Sequence, residues 1–231
     1  MGKAFAAELQ KIIDSATPDA RERIERDVKK LRAAGIESFE AADSAARDSS
    51  VATKTRMRAC WLLGQLRQKR AVASLLRAFV DPKLTWEAAK ALGVINSKRA
   101  VEPLIDSLLE STDREQRAAA AYALGLMADE RARDPLVQVL SDPSVDPKVR
   151  GHAAEALAQL ADDRVADHLV TALKDRSVEV RYWSTFALGQ LRNKKAVPEL
   201  KKLLTTRAVL PGWGKISDAA REAIASIEAG K

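Results

Sequence analysis

The sequence predicts an all-α fold, an array of about six repeated helix pairs preceded by capping helices. Three observations predict it. One motif recurs at intervals of 29 to 33 residues, the signature of a repeat architecture. Within each copy the apolar residues follow a helical spacing. Glycine and proline are sparse, 10 and 8 in 231 residues, too few for a β-rich or disordered chain.

Five tripeptides fix the register: LLG (62–64), ALG (91–93), ALG (123–125), ALA (156–158) and ALG (187–189). Two residues after each comes an apolar side chain, Leu66, Ile95, Met127, Leu160 or Leu191. Nine further on a leucine appears every time: Leu75, Leu104, Leu136, Leu169, Leu200. Four beyond these stand Phe79, Leu108, Leu140, Leu173 and Leu204. A degenerate sixth copy, ISDAAREAIASI, fills 216–227.

Taken in order, KAFAAELQKIIDS (3–15) reads as an amphipathic helix. DARERIERDVKKLRAAG (19–35) reads as a second, highly charged helix, started by Thr17-Pro18 and stopped by Gly35. Residues 1–35 are thus expected to cap the array at 36–231, as one continuous domain. FEAADSAARD (39–48) fits a worn first helix for the first pair. Each later pair opens with a leucine helix, and Pro103, Pro135 and Pro198 stand near its start, where the first turn tolerates proline. Turns such as DPKLT, STDRE and SDPSVDPK supply capping residues. The alanine helix follows, with the pattern VRxxAAxALGxL. Its glycine offers either backbone freedom near the helix end or close approach of a neighbouring helix. Near the C-terminus TTRAVLPGWGKI (205–216) replaces the short turn with a longer loop.

The VRxxAAxALGxL helix, the [DNS]x[RK]A turn after it and the leucine helix resemble HEAT-like repeats of the phycobilisome-lyase type, over roughly 36–227. The resemblance implies a right-handed α-solenoid (α-α superhelix), with leucine helices on the convex side and alanine helices on the concave side. It also implies that Arg56, Arg117, Arg150 and Arg181 brace turns through aspartates such as Asp113, Asp146 and Asp175. Thr85 and Ser217 break that pattern.

On a helical wheel Ser184, Thr185, Ala187, Leu188 and Leu191 form one arc, and Tyr182, Trp183, Phe186 and Gln190 the opposite one. The first arc holds the residues shared by all copies and must pack on neighbours, so the second is the free face. The equivalent positions in the other copies are Met57, Arg58, Trp61, Gln65; Trp86, Glu87, Lys90, Val94; Ala118, Ala119, Tyr122, Leu126; and Gly151, His152, Glu155, Gln159. These positions hold six of the chain's ten aromatic residues, where random placement would put fewer than one. Rings on a free face favour a partner. The candidate binding residues are therefore Arg58, Trp61, Trp86, Lys90, Tyr122, His152, Glu155, Tyr182, Trp183 and Phe186. In the geometry that the resemblance implies they line a concave groove.

The net charge of +7 is uneven: residues 51–100 carry eleven Lys/Arg against two Asp/Glu. A basic row, Arg70, Arg99, Arg131, Arg164 and Lys195, recurs in the turns. It suits nearby helix C-termini or an acidic partner. Only two histidines are present, His152 and His168, with no cysteine pair, so no metal or other cofactor is expected. Deoxyhypusine hydroxylase uses similar repeats, but its iron-binding His-Glu dipeptides are absent here. No phosphate-loop, dinucleotide or nucleophile-elbow motif occurs. Cys60 occupies an alanine core position and reads as packing. With one cysteine, no apolar leader and no long apolar run, the expectation is a cytoplasmic protein that does not enter membranes. The expected function is a non-enzymatic scaffold holding a protein or peptide in the aromatic groove. The alternatives are a bilin or tetrapyrrole lyase-like or chaperone-like protein, and a nucleic-acid binder resembling the HEAT-like DNA glycosylases.

Overall fold

The computed structural model describes residues 10–229. These are largely helical, as the periodicity predicts, and the chain divides into two compact units, Met1–Pro103 and Leu104–Lys231. In the first unit the predicted helix over 3–15 is helical over 10–15, and its earlier residues lie outside the described residues. Then follow α1 (Pro18–Ala33), α2 (Phe39–Arg47), α3 (Thr53–Gln65), α4 (Val72–Phe79) and α5 (Thr85–Ile95). Gly35, at φ +74°, ends α1 in the left-handed conformation. That turn lets the Ile36 N–H return to the Leu31 carbonyl at 2.8 Å. Ile24, Val28 and Leu31 are buried, and α1 packs on α3. Helices α3 and α5 lie side by side in one layer, with α2 and α4 in the other. Leu62, Leu63, Leu75, Phe79, Leu84 and Leu92 are closed off from solvent between them. Each such side chain contributes about 1.5–3 kcal/mol of burial.

Helix α6 (Val101–Glu110) contains the boundary between the units. The second unit continues with α7 (Arg114–Met127), α8 (Arg133–Ser141), α9 (Pro147–Gln159), α10 (Ala166–Ala172), α11 (Val178–Gln190), α12 (Val197–Leu203) and α13 (Ile216–Ala229). The alanine helices α7, α9, α11 and α13 each pack on the next, and the leucine helices α8, α10 and α12 cover them. The long loop before α13 holds a two-stranded antiparallel ladder, β1 (Val209–Leu210) with β2 (Gly214–Lys215).

The structure decides what the alanine-helix glycine is for. The chain reverses after each alanine helix at Arg67, Asn96, Ala128, Ala161 or Arg192, all near φ +50°, and none of these is glycine. The glycines instead mark helix contacts. A Cβ on Gly64 would stand 2.8 Å from the Ala91 Cα, and one on Gly125 2.8 Å from the Ala156 Cα. On Gly189 it would stand 2.9 Å from the Ala223 Cα. Only hydrogen fits where the backbones meet.

The arginines brace turns, Arg56 and Arg150 reaching that of the following pair and Arg117 and Arg181 the turn before their own helix. Arg56 is buried and donates to Asp81 at 2.8 Å, 25 residues on. Arg150 makes the same reach to Asp175. Arg117 donates to the Leu108 carbonyl at 2.8 Å, and Arg181 to the Asp175 carbonyl at 2.7 Å. Thr85, in place of arginine, turns its hydroxyl onto the Asp81 carbonyl at 3.0 Å.

Candidate functional site: the open face of the alanine helices

One position explains most of the site's geometry, the residue three before the tripeptide's end. Reading along the chain it is Trp61, Lys90, Tyr122, Glu155, Phe186 and, in the last copy, Glu222, an alternation of aromatic and charged side chains. The aromatic members each wall a cleft.

In the first unit a cleft of ≈ 440 Å³ is lined by Arg23, Asp27, Lys54, Met57, Arg58, Trp61 and Glu87. Helix α3 supplies the floor, α5 supplies Glu87, and the N-terminal helix α1 supplies Arg23 and Asp27. Arg58 Nε lies 3.3 Å from Asp27 Oδ1, which fixes the guanidinium against the capping helix. Lys90 reaches Glu87 at 3.1 Å. Of the residues expected from the sequence, Arg58 and Trp61 line this cleft and Lys90 touches its rim through Glu87. Trp86 is half-buried on α5 and does not line it. Sequence reasoning missed Arg23 and Asp27, because the cap has no repeat register to align. Their i,i+4 spacing on a charged helix was the available signal.

In the second unit Tyr122 on α7 meets His152 and Glu155 on α9. The Tyr122 and His152 rings stand edge-on, with centroids 6.3 Å apart. His152 Nδ1 lies 3.1 Å from Glu155 Oε2. A notch of ≈ 90 Å³ opens between these helices, lined by Tyr122, Gly125, Leu126, Glu155, Ala156 and Gln159. A second notch of ≈ 150 Å³ lies between α11 and α13, lined by Tyr182, Phe186, Gly189, Gln190, Ala219, Glu222, Ala223 and Ser226.

Trp183 does not lie open on the free face, as the wheel had placed it. It is 5% exposed. Two features bury it. Gly151 on α9 leaves the space its ring enters, since a Cβ there would sit 3.1 Å from Trp183 Cδ1 and 2.9 Å from Glu179 Cγ. Trp213, from the hairpin loop, covers it at 4.7 Å between ring centroids. Tyr182 and Phe186 complete the cluster at 5.4 and 5.8 Å. Trp213 itself is 62% exposed. The over-long loop with an aromatic between two glycines was the sequence signal for it. Burial raises the pKa of the Tyr182 hydroxyl, and the nearby Glu222 carboxylate adds to the effect. Ala118, Ala119 and Gly151 are also buried. The open strip is therefore narrower than half the helix; in the first unit it holds Trp61, and in the second Tyr122, Phe186 and the residues four beyond them.

Three members of the basic row are drawn back onto nearby groups. Arg131 pairs with Asp129 at 2.8 Å and Arg164 with Asp162 at 2.7 Å. Arg70 stacks on Phe39, 3.6 Å from the ring centroid, and reaches Glu40 at 3.1 Å. Cys60 is fully buried, and desolvation pushes its thiol pKa up to about 12. Among the described residues no cluster of three or more His, Cys, Asp or Glu could hold a metal ion, and no helix is long and apolar enough to cross a membrane.

The family model for HEAT repeats matches residues 41–125, 80–147, 101–188 and 144–210. The complex of CpcE and CpcF of phycocyanin lyase from Nostoc sp. PCC7120 is similar in fold. It has 24% identity, a TM-score of 0.58, and coverage of 82% of this chain and 75% of that one. Kap95p, in a structure with RanGDP, gives a TM-score of 0.65 at 16% identity, covering 98% of this chain but 34% of that one. The search of curated proteins finds no match. The repeated helix pairs, their two layers and the family match together place this chain in the HEAT-repeat family.

Proposed function

We propose that the chain is a scaffold that holds segments of another protein against the open faces of its alanine helices, each unit through its own face. One observation carries this reading: Trp61, Tyr122 and Phe186, from a single repeat position, each wall a cleft. The closest backbone approaches between helices are made elsewhere, at Gly64, Gly125 and Gly189. A half-exposed ring beside a cavity offers a large, stiff contact area at little entropic cost, which is why such residues dominate binding hot spots. The solved relatives are themselves in protein complexes, CpcE with CpcF and Kap95p with RanGDP. A protein or peptide partner on this face is our inference from these rings, and a cytoplasmic setting our inference from the single buried cysteine.

Site-specific photo-crosslinking tests the reading. A benzophenone amino acid is placed at 61, 122 and 186, and for contrast at Arg77, Gln138 and Lys201 on the leucine helices. Protein adducts formed in cells from the first set alone agree with the proposal. Adducts of equal yield from both sets overturn it.

A small planar anion, such as a bilin, is the second reading. The first unit's cleft favours it, since ≈ 440 Å³ falls within the roughly 300–1,000 Å³ of small-molecule sites. Trp61 could stack on such a group beside Arg58. Uptake of added bilin, seen as a visible absorbance band lost in Trp61→Ala, would favour it over a protein partner. Nucleic acid is less well served, because Asp27 and Glu87 share that cleft and Arg131 and Arg164 are already paired.

A further inference from the structure

The two notches of the second unit are the same site built twice. Tyr122 corresponds to Phe186, Gly125 to Gly189, Leu126 to Gln190, Glu155 to Glu222, Ala156 to Ala223 and Gln159 to Ser226. Each has an aromatic wall, a floor where glycine meets alanine, and a glutamate from the next alanine helix on its rim. Between them, at the floor position on α9, Ala158 replaces the glycine. At ≈ 90 and ≈ 150 Å³ both are well below the roughly 300 Å³ of the smallest ligand pockets. They suit single side chains. Leu126 and Phe186, two of the chain's exposed large apolar residues, stand on their rims.

The chemistry of each notch selects a long basic side chain. An aromatic face and an apolar floor accommodate a methylene stem, while the ring and a carboxylate attract a cation. Glu222 has no ion-pair partner among the described residues and stands with Tyr182 and Phe186 in its notch. Among the described residues Glu155 pairs with the half-buried His152 alone. An acidic side chain would meet repulsion at both rims.

We propose that the second unit reads an extended partner segment by inserting two lysine or arginine side chains, six residues apart, into these notches. This rests on the scaffold reading above. The spacing follows from the stacking. The notches are two helix steps apart, and close-packed helices lie about 8–10 Å apart, so the step is about 16–20 Å. An extended chain rises about 3.3 Å per residue, and only even separations put two side chains on one face, so i and i+6 fit best.

The test is an amide chemical-shift titration of the intact protein with the peptide Lys-Gly-Ser-Gly-Ser-Gly-Lys, alongside its arginine and glutamate counterparts and a version with lysines three apart. The expected shifts centre on Tyr122, Leu126, Glu155, Phe186, Gln190 and Glu222. Glu155→Gln and Glu222→Gln, which keep the side chain's shape, should each weaken the six-apart peptide about fivefold. The double variant should bind it no better than it binds the three-apart peptide. Equal binding of the glutamate peptide, equal binding of both spacings, or indifference to both substitutions overturns the proposal. If no basic peptide shifts these residues but crosslinks from 122 and 186 persist, the two-cation assignment falls and the scaffold reading stands. Loss of both removes both.

Discussion

Replacing Gly125 by alanine sets two known effects against each other. Alanine is the better helix former, by about 0.8–1 kcal/mol. The new Cβ, however, would sit 2.8 Å from the Ala156 Cα and 2.9 Å from its Cβ. Carbon atoms at rest stand about 3.5–4.0 Å apart, so the helices must separate by close to 1 Å. Neither opposing atom lies on a side chain that can rotate away. Forced overpacking of this kind costs about 1–3 kcal/mol, and backbone resistance places it at the upper end. The net expectation is a destabilisation of about 2 kcal/mol, with the sign set by packing rather than propensity. Urea unfolding followed by far-ultraviolet circular dichroism measures it. Ala156→Gly in the same chain should recover part of the loss, because one of the two blocking carbons is removed and the other remains. A Gly125→Ala protein as stable as the parent, or more so, would refute the claim that this glycine serves helix approach.

Further consequences follow from other sites. Trp213→Ala should uncover Trp183, raise the rate at which hydroxyl radicals oxidise it and cost about 1 kcal/mol of ring contact. An unchanged rate would mean that the loop does not cover it. Cys60, with its thiol pushed up to about 12 by burial, should resist Ellman's reagent at pH 8 until urea is added, and rapid reaction of the native protein would contradict its buried placement. The Asp81 pKa is lowered, first by the Lys83 backbone N–H and then by Arg56. Because the folded-state value lies below the unfolded one, its contribution is complete above an unfolded pKa of about 3.9 and fades as pH falls through the folded value. Asp81→Asn should therefore be less stable at neutral pH and flatten the acid limb of the stability curve. An acid limb as steep as the parent's would refute it.

The fold was legible because the repeat restates its own constraints. Five copies place apolar residues at matching positions, so the order and kind of the helices from α3 to α12 follow from spacing alone, and Gly35 marked the end of α1. What the repeat could not show was which neighbour each exception served. Gly151 reads in isolation as a gap in an aromatic row, yet its role is to admit Trp183 from the next helix. The wheel placed Trp183 on the free arc but could not see that its ring enters the gap at Gly151 or that Trp213, thirty residues on, covers it. Likewise the arginine of the VR pair pointed to an aspartate, but only the stacking of consecutive pairs makes that aspartate belong to the following turn. The glutamate of the last copy escaped notice because ISDAAREAIASI carries no aromatic to draw attention to it. Its equivalence to Glu155 emerges once α13 lies beside α11.

Hydroxyl-radical footprinting with residue-level mass spectrometry tests the open aromatic row most directly, because it reads side-chain accessibility at the rings themselves. In the free protein Trp61, Tyr122 and Phe186 should oxidise readily while Trp183 is spared. With a bound partner those three should be protected and exposed leucine-helix residues such as Arg77 and Gln138 should not. Protection confined to the leucine helices, or a free protein in which Trp183 oxidises as fast as Trp61, would contradict the account.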